Sequence, residues 1–427
     1  MAAEVAVAPY DRPGARQGLT REEAGFARRD LRRRRLVALA LVAPLALFLL
    51  FAFFAPIASM LNRSVYNPTV SELIPNTLES LGDWDGAGIP DSPVLTTMAV
   101  DLKRLQTERN AGKLADEINR RLPGSSSAIK TSARRIAQSS DEELSADGAK
   151  LLLATNDIWS RPEFWGTLKA VGQVYTIDNF LTALDLERTI GPDSHIQVRN
   201  SAQIYIPLYI KTLRDALVIT LICILLGYPL AYFIASTSPR TANTLMILVL
   251  LPFLTSVLVR TTAWIALLQT NGIVNSTLLW AGIVSQPLEM LYTEFATVLI
   301  MTHILLPFMV LPLYASMRSI DPSYMKAAMS LGSRPVPAFA RVYFPMTLPG
   351  LSAGALLVFI LSVGYFIIPA LVGGTEGQMI SNLIAFHMQQ SNNWELAAAL
   401  GTLLLVLILV LYWIYDRLIG IDKMKLG

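Results

Sequence analysis

A single cysteine, Cys223, occurs in 427 residues, and it sits within an apolar run. No disulfide can form within the chain, and no cysteine-based metal site. Histidine is almost as scarce. His195, His303 and His387 are far apart in sequence and make no metal-ligand pair. Charged residues make up only 16% of the chain against 53% hydrophobic residues, a balance that points to a membrane class. The net charge of +3 is too small to argue for nucleic acid as a partner. There is no Gly-x-x-x-x-Gly-Lys-Ser/Thr segment to cradle ATP phosphates. His-Glu-x-x-His, Gly-x-Ser-x-Gly and paired intramembrane carboxylates are missing too, which removes the commoner membrane-enzyme chemistries.

What is present is a set of long apolar runs. The first, 36–61, follows a polar arm over 1–35 that ends in Arg28, Arg29 and Arg32 to Arg35. It is too long for the core of a cleavable signal, so it reads as an uncleaved span whose arginines hold the N-terminus in the cytoplasm. Five further spans are expected at 213–236, 244–268, 294–317, 351–372 and 396–415. The short connections sort by charge. Arg240 lies between spans two and three; Arg318, Lys326, Arg334 and Arg341 lie between four and five; Arg417, Lys423 and Lys425 follow span six. The connections 269–293 and 373–395 hold no Lys or Arg. Six spans with both termini inside satisfy every short loop. The apolar but short stretch 273–290 reads as an outer re-entrant or interfacial helix.

Residues 62–211 interrupt this pattern and are expected to form an extracytoplasmic helical domain. Leu95, Met98, Leu102 and Leu105 recur at helical spacing within 92–122, and 124–127 is a breaker. Helices are expected again over 131–138 and 141–159, with Asp141 as a cap. The remainder, 212–427, is a five-helix membrane core carrying a cytoplasmic loop, 319–350.

That loop, DPSYMKAAMSLGSRPVPAFARVYFPMTLPG over 321–350, organises the rest. Asp321 can cap a helix whose first position suits Pro322. Tyr324, Ala328 and Leu331 share one face, with Met325 and Met329 beside it, and Gly332 can end the helix in a left-handed conformation. A second helical piece, PAFARVYF, is expected to stop at Pro345 and Pro349. Small Ala327 and Ala328 would let a soluble partner grip this helix in a groove. The stretch is similar to the EAA loop of ABC-importer permeases, whose pattern is Glu-Ala-Ala, three residues, Gly, nine residues, Ile, any residue, Leu-Pro. Lys326-Ala327-Ala328, Gly332, Val342 and Phe344-Pro345 keep every spacing, with Lys, Val and Phe as departures.

Three further stretches resemble the spermidine/putrescine branch of that family: LLGYPLAYFIA (225–235), LPFLTSVLVRTTAWIALLQTNGIVN (251–275) and VGYFIIPALVGGTEGQMISNLI (363–384). SVYNP (64–68) and YTIDNF (175–180) resemble segments that lie close together in shorter relatives, so 69–174 reads as an insertion. The resemblance implies an all-α membrane protein with six transmembrane helices of the type I importer permease fold, plus a helical periplasmic insertion. It implies location in the bacterial inner membrane and partners comprising a second permease, a pair of ATPase subunits and a periplasmic binding protein. It also implies no cofactor in this chain, ATP and Mg being bound by the partner ATPase. The ATPase-coupling residues would be Tyr324, Met325, Lys326, Ala327, Ala328, Leu331 and Gly332.

Pathway candidates are Arg260, Trp264, Glu294, Tyr365, Glu376 and Asn382. A charge inside a span is costly unless paired or wetted, so Arg260 is either a pathway residue or half of a structural pair with Asp215 or Glu294. His303 is a packing histidine or a proton site, and Trp264 a belt or a pathway residue. Polyamine-type relatives often carry an acidic residue where Tyr365 stands. Tyrosine offers a dication only an aromatic face, which leaves opines, amino-acid-like solutes and thiamine open beside spermidine and putrescine. A membrane sensor with a helical outer domain is the alternative of another class, though neither end of the chain leaves room for an output domain.

Overall fold

The computed structural model describes residues 36–189, 195–199 and 203–419. The arm expected over 1–35 lies outside the described residues, as do Lys423 and Lys425. Among the described residues six stretches are long and apolar enough to cross a bilayer: Leu36–Val65, Tyr205–Ser236, Val257–Trp280, Glu294–Ser319, Pro335–Gly364 and Trp394–Arg417. The first is helix α1, which carries a π-helical turn at Leu50–Phe54.

Residues 69–171 build a helical body from α2 (Thr69–Leu73), α3 (Pro75–Ser80), α4 (Ser92–Thr107), α5 (Ala111–Arg121), α6 (Ser125–Ile136), α7 (Asp141–Thr155) and α8 (Pro162–Val171). The stretch 92–122 is two helices rather than one, because Arg109 turns left-handed at φ 60° between them. Helix α7 is capped by Ser140, not Asp141. The Ser140 hydroxyl accepts from the Glu143 N–H and Glu143 reaches back to the Ser140 N–H, a reciprocal pair that Asp141, one residue late, could not make. The core holds Leu95, Met98, Leu102 and Leu105 together with Trp159, Phe164 and Trp165, whose rings stack edge-on or tilted. Both buried indoles find partners: Trp159 donates to Ser132 Oγ at 2.9 Å and Trp165 to the Trp159 carbonyl at 2.9 Å. Every residue of this core falls between Val70 and Leu168, so the body closes on itself. Its two ends meet where Tyr66 bridges Tyr175, with Asn67 N–H donating to the Val174 carbonyl at 2.8 Å.

Helix α9 (Asp178–Ala183) and a hairpin of β1 (Leu186–Arg188) and β2 (Ile196–Val198) lead on. This hairpin departs from a wholly helical reading. Helix α10 (Tyr205–Ser236) starts eight residues before the expected 213. Its free N-terminal amides are held by Asp185, whose carboxylate accepts from Ile204, Tyr205 and Ile206 at 3.1, 3.2 and 2.7 Å. The span expected at 244–268 is not continuous. Helices α11 (Pro239–Leu250) and α12 (Val257–Leu268) flank a turn containing Pro252, which lacks the N–H a helix needs. Helix α13 (Ile273–Trp280) follows after Gly272.

Helices α10, α14 (Glu294–Ser319) and α16 (Pro335–Gly364) make the tightest part of the membrane core. Met309 of α14 lies between Gly227 of α10 and Gly354 of α16, and Gly350 sits against Pro312 and Ser316, so absent side chains let these helices approach. Between α14 and α16 lies α15 (Ser323–Ser330). The stop expected at Pro345 and Pro349 does not occur. A π-helical turn over Phe339–Tyr343 widens the backbone just before Pro345, which falls in the first turn of the α-helical part of α16, Phe344–Gly364, and the helix runs on through Pro349. The fifth span, expected over 351–372, is broken at Tyr365 and Phe366, so its continuous helix ends at Gly364. Short α17 (Ile367–Val372), then α18 (Ile380–Gln389) and α19 (Trp394–Ile419), complete the chain.

Candidate coupling helix and substrate pathway

Helix α15 is an eight-residue element whose ends are specified by single residues. At its start, Asp321 Oδ1 accepts from the Ser323 N–H at 2.8 Å. That bond and one to the Ser323 hydroxyl hold the exposed Asp321 carboxyl below the usual range. At its end Gly332 has φ 91°, with its N–H on the Met329 carbonyl at 3.0 Å and Ser333 N–H on the Ala328 carbonyl at 3.1 Å. These two bonds form a Schellman motif, which answers the last orphan carbonyls. Met325 and Ala328 are half-buried against their own chain. Tyr324, Lys326, Ala327, Leu331 and Gly332 are exposed. The face expected for docking is thus divided: Ala328 leans inward with Met325, while Tyr324, at 52% exposure, and Leu331, at 89%, stand clear with Val336 at 78%. Exposed Tyr324 and Leu331 on the short capped helix and at its end, with exposed Val336 in the first turn of α16, are suited to an apolar cleft on another protein.

The pathway candidates are only partly brought together. Arg260 is 8% exposed on α12, and its Nε and Nη1 have no hydrogen-bond partner among the described residues. Neither partner suggested for it is available. Asp215 is taken by Lys211 at 2.6 Å and Arg214 at 2.9 Å, and Glu294 by the same Arg214 at 2.5 Å. Lys211 and Arg214 lie one turn and one residue ahead of Asp215 on α10, so they reach it first. What Arg260 does meet electrostatically is His303 and Tyr365. Trp264, one turn along from Arg260, donates its indole N–H to His303 Nδ1 at 3.2 Å, with ring centroids 5.6 Å apart. Since an indole N–H can only donate, a neutral His303 carries its proton on Nε2. The Trp264 polar edge therefore points into the chain.

Tyr365 and Phe366 form the break between α16 and α17: the Tyr365 carbonyl has no helical donor because Pro369 stands four residues on, while the Phe366 carbonyl opens α17 by accepting from the Ala370 N–H at 3.0 Å. Ser381 donates to the Tyr365 carbonyl at 2.6 Å and Asn382 Nδ2 to the Phe366 carbonyl at 2.7 Å, while Asn382 Oδ1 caps α18 through the Met379 N–H at 3.1 Å. Irregular backbone at a span is tolerated where such donors re-satisfy it. Asn382 thus holds the break open. Ser381, which sequence reasoning passed over, shares the task. The only signal for it was a Ser-Asn pair at the head of a helix opposite an apolar run containing a proline. Glu376 is exposed and makes no ion pair among the described residues.

Residues 216–419 match the family model described as "Binding-protein-dependent transport system inner membrane component". The spermidine/putrescine transport system permease protein PotB of Escherichia coli is 33% identical over 253 residues, 58% of this chain and 86% of that protein. PotB of Haemophilus influenzae is 35% identical over 226 residues, covering 52% and 79%. The inner membrane ABC transporter permease protein YdcU of Escherichia coli is 30% identical over 292 residues, covering 64% and 90%.

Proposed function

The chain belongs to the family of binding-protein-dependent transport system inner membrane components, as a multi-pass permease subunit of an ABC importer, and we propose that its solute is a small organic amine of the spermidine/putrescine kind. The observation that carries the solute reading is the extent of the likeness to PotB, which spans 86% of that relative at 33% identity. In this reading the chain pairs with a second permease and receives solute from a periplasmic binding protein. Both termini and α15 face the cytoplasm, and residues 62–211 face the periplasm. The positive connections at Arg240 and at Arg318 to Arg341, against outer connections with none, support that orientation. ATP and Mg are bound by separate ATPase subunits. These grip α15 by Tyr324 and Leu331, and the start of α16 by Val336, with Ala327 allowing close approach and Met325 and Ala328 bracing the helix from behind.

Solute moves by alternating access, with the break at Tyr365–Phe366 as the element that changes shape. The half-buried Tyr365 ring and the Trp264 ring offer faces on which an alkylammonium group can rest. The test is uptake of labelled putrescine by cells lacking their own polyamine importers and supplied with this chain and its neighbouring subunits. Energy-dependent uptake that disappears when α15 is disabled is expected. Uptake of no amine, with the complex assembled and hydrolysing ATP, would refute the solute assignment and leave the permease assignment standing.

A further inference from the structure

The helical body 69–171 is not held to the membrane core by apolar packing, since its core contains no residue from the spans. Apart from the neck at Tyr66 and Tyr175, its hydrogen bonds and ion pairs to the core among the described residues come from the last turn of α5. Arg120 Nη1 lies 2.7 Å from Glu117 Oε1 and 3.7 Å from Glu395 Oε2, and Nη2 donates to the Asn392 carbonyl at 3.0 Å. Arg121 Nη1 lies 3.2 Å from Asp178 Oδ2. Between body and core remains a cavity of about 320 Å³ whose walls include Glu117, Arg120, Arg199, Tyr205, His387 and Glu395. A charged junction around a cavity, with no apolar core across it, separates at modest cost, so movement of one part against the other is the default.

The place Arg120 grips is specific. Asn392 is one of few non-glycine residues with positive φ, at 49°, in the tight connection between α18 and α19. Helix α18 runs ten residues back from that connection to Ser381 and Asn382, which donate to the Tyr365 and Phe366 carbonyls at the break. One short rigid helix thus has the Arg120 grip just past its C-terminus and the break in the fifth span at its N-terminus. Glu395, the other end of the grip, lies in the first turn of the sixth span.

We propose that Arg120 is a positioning residue that clamps the helical body to the α18–α19 connection, so that the body sets the geometry of the break at Tyr365–Phe366 and the outer start of span six. A contact made on the body is then transmitted through α18 to the part of the fifth span that must bend. This holds whatever solute is carried.

The experiment is hydrogen exchange of the full chain in lipid nanodiscs, comparing wild type, Arg120→Ala and Arg120→Lys. Loss of the clamp in Arg120→Ala should speed exchange on the order of tenfold at 390–395, at the head of α18 and at 365–372. Helices α4 and α7 should be unchanged. Lysine, which can keep one bond to the Asn392 carbonyl, should restore part of the protection at both ends of α18. Exchange that rises only at 116–124 and 390–395 would overturn the proposal, since the grip would then be a local surface contact. Exchange that rises throughout the body would overturn it equally, because Arg120 would then serve the body's own fold.

Discussion

Gly332 offers the most direct test of how α15 transmits force. Its φ of 91° is a conformation in which an L side chain is strained, and an added Cβ would meet nothing within 4 Å. The cost of Gly332→Ala is therefore one of backbone alone, about 1–2 kcal/mol. That is a factor of roughly 5–30 between the capped helix and its frayed alternatives. Because α15 has no buried residue to restore it, the whole penalty falls on the population of the capped form, and affinity for an ATPase subunit drops by at most the same factor. Asparagine tolerates the left-handed region better than alanine, and a β-branched residue worse. The expected order of coupling is therefore Gly, Asn, Ala, Val. The assay is solute-stimulated ATP hydrolysis in proteoliposomes, read beside the amount of ATPase retained on the purified permease. Equal coupling by Gly332→Val and wild type would refute the reasoning, and so would Gly332→Asn falling below Gly332→Val. In either case the residue's role would not be its backbone conformation.

Gly350→Ala would place a Cβ 2.7 Å from the Pro312 carbonyl oxygen, a backbone atom that cannot turn aside, and should cost about 1–3 kcal/mol in detergent melts; Gly364→Ala, with open space around it, should be near neutral. Burial lifts the Glu117 carboxyl above its usual range despite Arg120, and Glu395 and Asp116 add to the lift while a hydrogen bond from Asn67 opposes it. The folded state thus keeps that proton to higher pH than the unfolded state, so its stabilising share is complete below the ordinary carboxylate pKa and is lost as pH rises through the raised one. Glu117→Gln should flatten that part of the pH–stability curve, followed by tryptophan fluorescence, and an unchanged slope would count against it. Excising 69–173 with a short linker from Pro68 to Val174 should leave the spans assembled, since Asn67 and Val174 are hydrogen-bonded neighbours; loss of membrane insertion or of ATPase pairing would show that the body is needed to build the core.

Local chemistry and apolar run length were legible in the chain itself. Apolar runs determined the helices of the membrane core because a backbone in lipid must bond to itself, and that demand depends on composition more than on neighbours. Asp321 and Gly332 marked the ends of α15 because capping involves atoms two to five residues apart. The same locality made Ser140 and Glu143 readable in principle, although Asp141 drew attention first. Proline was harder to read: Pro345 and Pro349 look like stops, yet a π-helical turn absorbs the first, and a wider turn leaves no mark in composition. What only the tertiary structure decided is which charge meets which. Arg260, Asp215 and Glu294 make a trio by sequence, but Lys211 and Arg214 occupy both carboxylates, and the charge of Arg260 is felt instead at His303 and Tyr365. Ser381 and Asn382 acquired their task only when α18 came against the break in the fifth span. A side chain's partner across a fold is set by the packing of whole helices, so it is not encoded at the residue's own position.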